Sequence, residues 1–486
     1  MSGISRRRLN LGIGISSLSC LSGRKLAAFE SCDVVVIGAG LAGLNAALNL
    51  EADGLNVMVL EAESYVGGRT LTVDFPSGPM NVGGQTIGPY YARVRDLADR
   101  FSIKLNPVGG RVPMGNYVNG SLIASSDWAK SEFNKTIGKE RSVQPGALEF
   151  FYLSQKNPLP DVESWLDKGQ QYLDVPLVEF LKSQGASDEA IRLINVTINV
   201  SNISAGSALA YLRDIKRLQW GIDNKDDAEN RSTYGAGSHD GFEFSEVDGG
   251  TQRLLETMAG ALKGPVHLNT MVKSVDMSGS MIDITTTSGD RVNSKYVVSA
   301  IPFTALRNIN VYPNFGSLQG NIISQSSHAN TIRVFMECAA PFWDNDIGEP
   351  GLYTDTEIER VFARPDDSGT YSILECWVNG AATVKLDAMS DTEVGDFIIK
   401  RLGEIRPASV GKLKVIKVHS WAKHTASGCC RHVFDAGQID AWAASMGTPH
   451  LKLHLAGEQT RSIENGMEAA AKSGERVAFE ILERGI

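Results

Sequence analysis

"CDVVVIGAGLAGLNAALNLEADGLNVMVLEAESYVGGRT", residues 32–70, is the stretch from which the fold is read. The apolar run Val34 to Ile37 reads as a buried strand, and it leads into Gly38-x-Gly40-x-x-Gly43. Leu44 to Leu50 then follow helical spacing, and a second strand, Val57 to Leu60, ends on Glu61. Gly38 permits the tight turn, Gly40 lets backbone amides approach a pyrophosphate, and Gly43 lets the helix pack on the strand. A carboxylate at Glu61 stands where ribose hydroxyls would be accepted. The stretch predicts an α/β, Rossmann-like dinucleotide-binding domain. Its candidate cofactor contacts are Gly38, Gly40, Leu41, Ala42, Gly43, Glu61 and Ala62. This fingerprint alone does not separate NAD from FAD.

Immediately after the second strand comes Gly67-Gly68-Arg69, and residues 81–89 read "NVGGQTIGP". Glycine pairs let backbone come close to a large flat cofactor, and Arg69 offers it a fixed cation. With these residues the chain resembles the flavin amine oxidase superfamily, which spans monoamine, polyamine and L-amino-acid oxidases and more distant desaturases. The resemblance implies FAD, with Gly68, Arg69, Gly84, Gln85 and Thr86 among its contacts. Two later blocks extend it. "EVDGGTQRLLETMAGAL", 246–262, precedes three strand-like runs separated by Ser-Gly-Ser and Ser-Gly-Asp turns, and implies Val272 against the adenine. "LHLAGEQTRSIENGMEAAAKSGERVAFEIL", 453–482, reads as strand, glycine turn and helix. There the resemblance implies Gly457 and Glu458 near the ribityl or phosphate region. It also implies a helix opening at Gly466 and Met467 whose positive end faces the flavin O2.

These blocks predict a discontinuous FAD-binding domain over 31–100, 240–305 and 415–486, with an inserted α+β substrate-binding domain over 101–239 and 306–414. Residues 175–200 and 207–215 show helical apolar spacing, with Ser187-Asp188-Glu189 a helix start. Residues 328–338 and 369–379 read as strands. The polar, turn-rich 221–241 reads as a loop near the entrance.

Members of the resembled family usually carry a lysine that holds a water near flavin N5 and two aromatic side chains flanking the amine. Counting between Pro302 and Pro313 puts Asn308 at the lysine position. The first aromatic position falls on Cys430 and the second on Gly466 or Asn465. Arg333 either faces the flavin, where it would suit a substrate carboxylate, or points from its strand to solvent. Trp421, with Tyr90, Tyr91 and Trp220, is a candidate aromatic wall or ordinary core. The candidate catalytic set is therefore Asn308, Arg333, Trp421 and Cys430. The resemblance aligns Cys429 with a cysteine that bonds the 8α-methyl of FAD, while plain packing and a redox pair with Cys430 stay open. The implied reaction is oxidation of an amine to an imine, with electrons passed to O2 or to a cytochrome or quinone. An amino-acid oxidase, a desaturase and a flavin-binding subunit without turnover are the alternatives.

A chain of 486 residues, 42% hydrophobic, has ample core. The net charge of -9 comes with no long basic run, which argues against nucleic acid. The six cysteines form no CxxC pair, so no metal is expected. The expected partners are a small-molecule amine and an electron acceptor, with a homodimer open. Ser5-Arg6-Arg7-Arg8-Leu9 and the short apolar stretch after it resemble a twin-arginine export signal over 1–30. Periplasmic placement is thus expected, with the cytoplasm as the alternative. Residues 1–30 carry a net +4, so -9 becomes -13 without them.

Overall fold

The computed structural model describes residues 30–75, 78–88, 90–108, 112–200, 202–223, 244–365 and 369–485. The signal-like N-terminus and most of the 221–241 stretch lie outside the described residues. The central strand β1 (Glu30–Ile37) pairs in parallel with Arg291–Ser299 on one side and with β2 (Val57–Leu60) on the other. Val266–His267 continues the sheet beyond β2. On the far side Ile282–Thr286, Val272–Asp276 and Asn310–Tyr312 extend it, and Leu453–Leu455 joins the second half of Arg291–Ser299, completing eight strands. Val34, Val35 and Val36 are wholly buried, as a parallel strand covered on both faces requires.

Helix α1 (Leu41–Ala52) and the C-terminal helix Gly466–Arg484 pack together against this sheet. They approach closely: a Cβ on Gly474 would lie 2.3 Å from the Ala42 carbonyl oxygen. The helix expected at Ser187 is present as Asp188–Thr197, and the Ser187 hydroxyl accepts from the Ala190 amide at 3.1 Å.

The second unit is a seven-stranded sheet in the order Leu413–Ser420, Thr331–Cys338, Tyr371–Asn379, Arg360–Pro365, Gly351–Thr354, Met114–Val118, Ser121–Ile123. Strand alternation gives it two unlike faces. Ile332, Val334, Leu374, Cys376 and Val361 pack on helix Asp391–Ile405. The opposite face presents Arg333, Phe335, Glu375, Trp377, Arg360, Phe362 and Arg364, which share register across three strands.

Two expected boundaries move. Asn310–Tyr312 belongs to the cofactor sheet, past the predicted end at 305. Leu413–Ser420 belongs to the second sheet, although the third cofactor block was placed from 415. In both cases strand pairing, invisible to local pattern, decides which unit a segment joins.

Candidate active site

The dinucleotide end is built from backbone. Gly40 is the extended N-cap of α1, and no side chain caps the helix, so its first amides are free for an anion. A Cβ on Gly43 would lie 2.0 Å from the Gly38 carbonyl oxygen, so only glycine lets α1 sit this close to the turn. Gly67 donates to the Ala39 carbonyl at 3.0 Å, which brings the second glycine pair against the first loop. Glu61 is buried and accepts from the Ala39 amide at 2.7 Å and the Glu63 amide at 2.9 Å. Burial raises its pKa, and its remaining lone pairs are free for hydroxyls. Ala62 follows half-buried, and Val272 is buried at the start of its strand opposite Thr286.

A second cradle lies at the far end. A Cβ on Gly83 would lie 2.1 Å from the Arg69 carbonyl oxygen, and one on Gly84 would touch the Met467 sulfur at 3.1 Å. The Gly83 to Gln85 loop therefore runs along the opening of helix Gly466–Arg484, which no side chain caps. Thr86, next in this loop, is exposed. Arg69 Nη1 donates to Glu458 Oε1 at 2.8 Å and to the Cys430 carbonyl at 3.3 Å. Glu458, which follows the positive-φ Gly457, also accepts from the His432 amide at 2.8 Å and from Arg461 at 3.2 Å. Burial alone would raise Glu458, but Arg69 and Arg461 hold it down at about 2. Burial and Arg461 push His432 down to about 3.

Cys429 and Cys430 stand beside this network, and neither is in a disulfide. Cys429 is buried, its thiol 3.3 Å from the Thr304 hydroxyl. Burial raises its pKa, against the pull of Arg69. Cys430 is half-buried and bounded by backbone bonds to Arg69 and Ala329.

Two candidate catalytic residues, Asn308 and Arg333, are placed otherwise than expected, and Trp421 takes the core reading left open for it. Asn308 is exposed past the short helix Phe303–Leu306, its amide turned back onto the Thr304 carbonyl at 3.3 Å. Thr304 is the residue of that segment that reaches Cys429, because spacing from two prolines does not fix rotation about the helix. Arg333 neither points to solvent nor is free for a substrate. It is buried in an ion pair with Glu375 and donates to the Gly83 carbonyl at 3.1 Å and Gln85 Oε1 at 2.8 Å. Trp421, 1% exposed, packs behind the loop against Gly83 and donates to the Val82 carbonyl at 3.0 Å, so it belongs to the core. Tyr91 was one of several aromatic candidates, and its position is informative. Its hydroxyl stands 3.3 Å from where a Cβ on Gly466 would be, so it occupies the space an aromatic side chain at Gly466 would fill.

Arg431, next to Cys430, keeps 41% of its side chain accessible and lies 3.8 Å from Asp214. Among the described residues no group of three His, Cys, Asp or Glu side chains is arranged to hold a metal ion.

A mostly parallel nucleotide sheet, two uncapped helix openings and glycine cradles joined by an Arg69–Glu458 pair fit a dinucleotide-dependent oxidoreductase with a second, separate unit. The comparisons sharpen this: the chain matches the flavin containing amine oxidoreductase family over residues 41–482 and belongs to it. It is 24% identical to human amine oxidase [flavin-containing] B, across 93% of this chain and 86% of that one. It is also 24% identical to a probable flavin-containing monoamine oxidase A of Dictyostelium discoideum, across 93% and 98%. Among solved structures, an engineered putrescine oxidase superposes with a TM-score of 0.75 at 21% identity, over 94% of this chain and 100% of that chain. Cyclohexylamine oxidase from Brevibacterium oxydans gives 0.74 at 19%, over 93% and 99%. The protein is an FAD-dependent oxidoreductase of the amine oxidase class.

Proposed function

We propose that the protein oxidises the C–H bond beside an amine nitrogen, giving an imine that water hydrolyses to a carbonyl compound and ammonia or a smaller amine. The observation that supports this most is the meeting of the Gly83–Gln85 loop, the Arg69–Glu458 pair and the uncapped Gly466–Arg484 helix beside Cys429 and Cys430. FAD, when bound, supplies the hydride acceptor. The chain's own part is to bind and orient. The amides opening α1 and Glu61 would hold the pyrophosphate and ribose, and Arg69, Gly84 and the C-terminal helix would hold the flavin end. Tyr91 and Cys430 border the substrate. A protonated amine has no lone pair to drive hydride loss, so a hollow that disfavours the ammonium form helps. Anaerobic mixing of the holoenzyme with a panel of amines should bleach the flavin, and no bleaching by any amine would sink the reading.

Cys429 is read as a covalent tether to the flavin, supported by its burial beside Arg69 and Thr304. The denatured protein should then carry the mass of FAD, and Cys429→Ala should lose it. A flavinylated peptide at another residue would refute the assignment. Electrons pass to O2 or to a periplasmic cytochrome or quinone, a reading that rests on the Ser5 to Leu9 motif. Hydrogen peroxide yield and cell fractionation test the acceptor and the export separately.

A further inference from the structure

The short strand Arg431–Val433, directly after Cys430, turns successive side chains to opposite sides. Arg431 reaches Asp214, while His432 lines the floor of a cleft that the reading so far leaves without a use. Helices Ser317–Gln325 and Ile439–Ala443 form its sides, with Leu318, Ile322 and Ala441 as apolar walls and Phe434 and Trp442 completing the floor. The cleft measures about 260 Å³, and among the described residues that line it there is no Asp, Glu, Lys or Arg. The Phe434 ring stands edge-on to Trp442 at 5.2 Å and to His432 at 4.7 Å.

One polar atom of this floor is open. Trp442 Nε1 is satisfied, donating to the Gln459 carbonyl at 3.1 Å. His432 is 5% exposed, and Arg461 donates to its Nδ1 at 3.1 Å. An arginine cannot accept, so the neutral imidazole carries its proton on Nε2. Nε2 has no hydrogen-bond partner among the described residues and stays accessible at the cleft floor. The result is an uncharged slot with an aromatic floor and one fixed N–H donor in it. The same residue ties the slot to the cofactor end: the His432 amide donates to Glu458 Oε1 at 2.8 Å, and Glu458 takes Arg69 at 2.8 Å.

We infer that this cleft binds a quinone, which takes the electrons from the reduced flavin. A quinone is neutral, flat and apolar, as the lining requires, and its carbonyl oxygen accepts from His432 Nε2. A charged dinucleotide would meet no counter-charge in the cleft, a cytochrome is too large to enter it, and O2 has no use for the donor. The quinone gains two electrons and two protons and leaves as the quinol. Both electrons and one proton come from the anionic reduced flavin, and the second proton comes from solvent. The inference rests on the flavin oxidoreductase reading, whatever the substrate, and selects one of the acceptors named with it.

The test uses duroquinone, a fully methylated benzoquinone with no free ring position for thiols to attack. Calorimetry on the oxidised holoenzyme should show one molecule bound per chain. Holoenzyme reduced anaerobically by light and a sacrificial donor should be reoxidised by duroquinone at a rate that saturates with its concentration. Ala441→Phe fills the cleft from its wall and should weaken binding and slow this reoxidation about 10-fold or more, while reoxidation by O2 is unchanged. Leu318→Trp, at a lip position 45% exposed, should do the same and decides if Ala441→Phe does not fold. No binding, binding without reoxidation, a rate that never saturates, or folded variants that leave the quinone reaction unchanged or slow O2 equally would overturn the inference. Because light reduces the flavin, failure here leaves amine oxidation standing, and failure of every amine to bleach the flavin leaves this test readable.

Discussion

His432 is buried among Glu458, Arg461 and Phe434, and it stays neutral in the fold because burial and Arg461 oppose its protonation. An unfolded chain would protonate it near its ordinary value of 6.5. Below that pH the unfolded state binds more protons, so stability is complete above 6.5 and is lost as pH falls toward 3. His419, lowered by burial to about 4, acts in the same direction. The holoenzyme's Tm should therefore fall between pH 6.5 and 5, and H432N should flatten the slope, by up to about 1.4 kcal/mol per pH unit. An unchanged slope in H432N would refute the assignment. At this scale the sequence was legible where the requirement is local. Gly38, Gly40, Gly43 and Glu61 follow from what a dinucleotide turn needs, and they sit together as that requirement demands. Asn308 and Arg333 were misread because a side chain's partner depends on rotation and on segments far away in the chain.

Helices and strands were legible where their ends carry chemistry. Ser187 caps Asp188–Thr197 and also donates to Glu140, whose Oε1 accepts the Ser187 amide at 2.8 Å. Ser187→Ala should cost about 1–2 kcal/mol, read as a lowered Tm with flavin content intact. The α1 contact is less forgiving. Gly43→Ala puts a methyl 2.0 Å from the Gly38 carbonyl oxygen and 3.1 Å from Val36, so turn and strand must both move. Loss of FAD loading is expected, with destabilisation of about 3 kcal/mol. Full loading in Gly43→Ala would show that the turn adapts. Strand membership was harder to foresee, because neither Asn310–Tyr312 nor Leu413–Ser420 carries a local signal of which sheet it joins, and only their pairing partners decide it.

The two units are joined by a buried network. Glu375, fully buried, pairs with Arg333 and Arg364, and both arginines also donate to Gln85 Oε1 at 2.8 Å. Gln85 donates in turn to Glu246 at 2.6 Å. The inner face of the second sheet thus grips the Gly83–Gln85 loop of the first unit. Glu375→Gln would leave two cations sharing a neutral acceptor, at a cost of about 3–5 kcal/mol. Both flavin content and Tm should drop, whereas a drop in Tm alone would show that the network braces the sheet but not the loop. By itself the sequence determined the strand, glycine turn and helix of the nucleotide motif, because glycine spacing and apolar runs act within a few tens of residues. The tertiary structure alone decided which charges are neutralised and which stay open. Arg333 and Arg360 lie on the two strands that flank Tyr371–Asn379 on one sheet face, and only packing brings Glu375 to the first while the second lies beside the Trp377 and Phe362 rings.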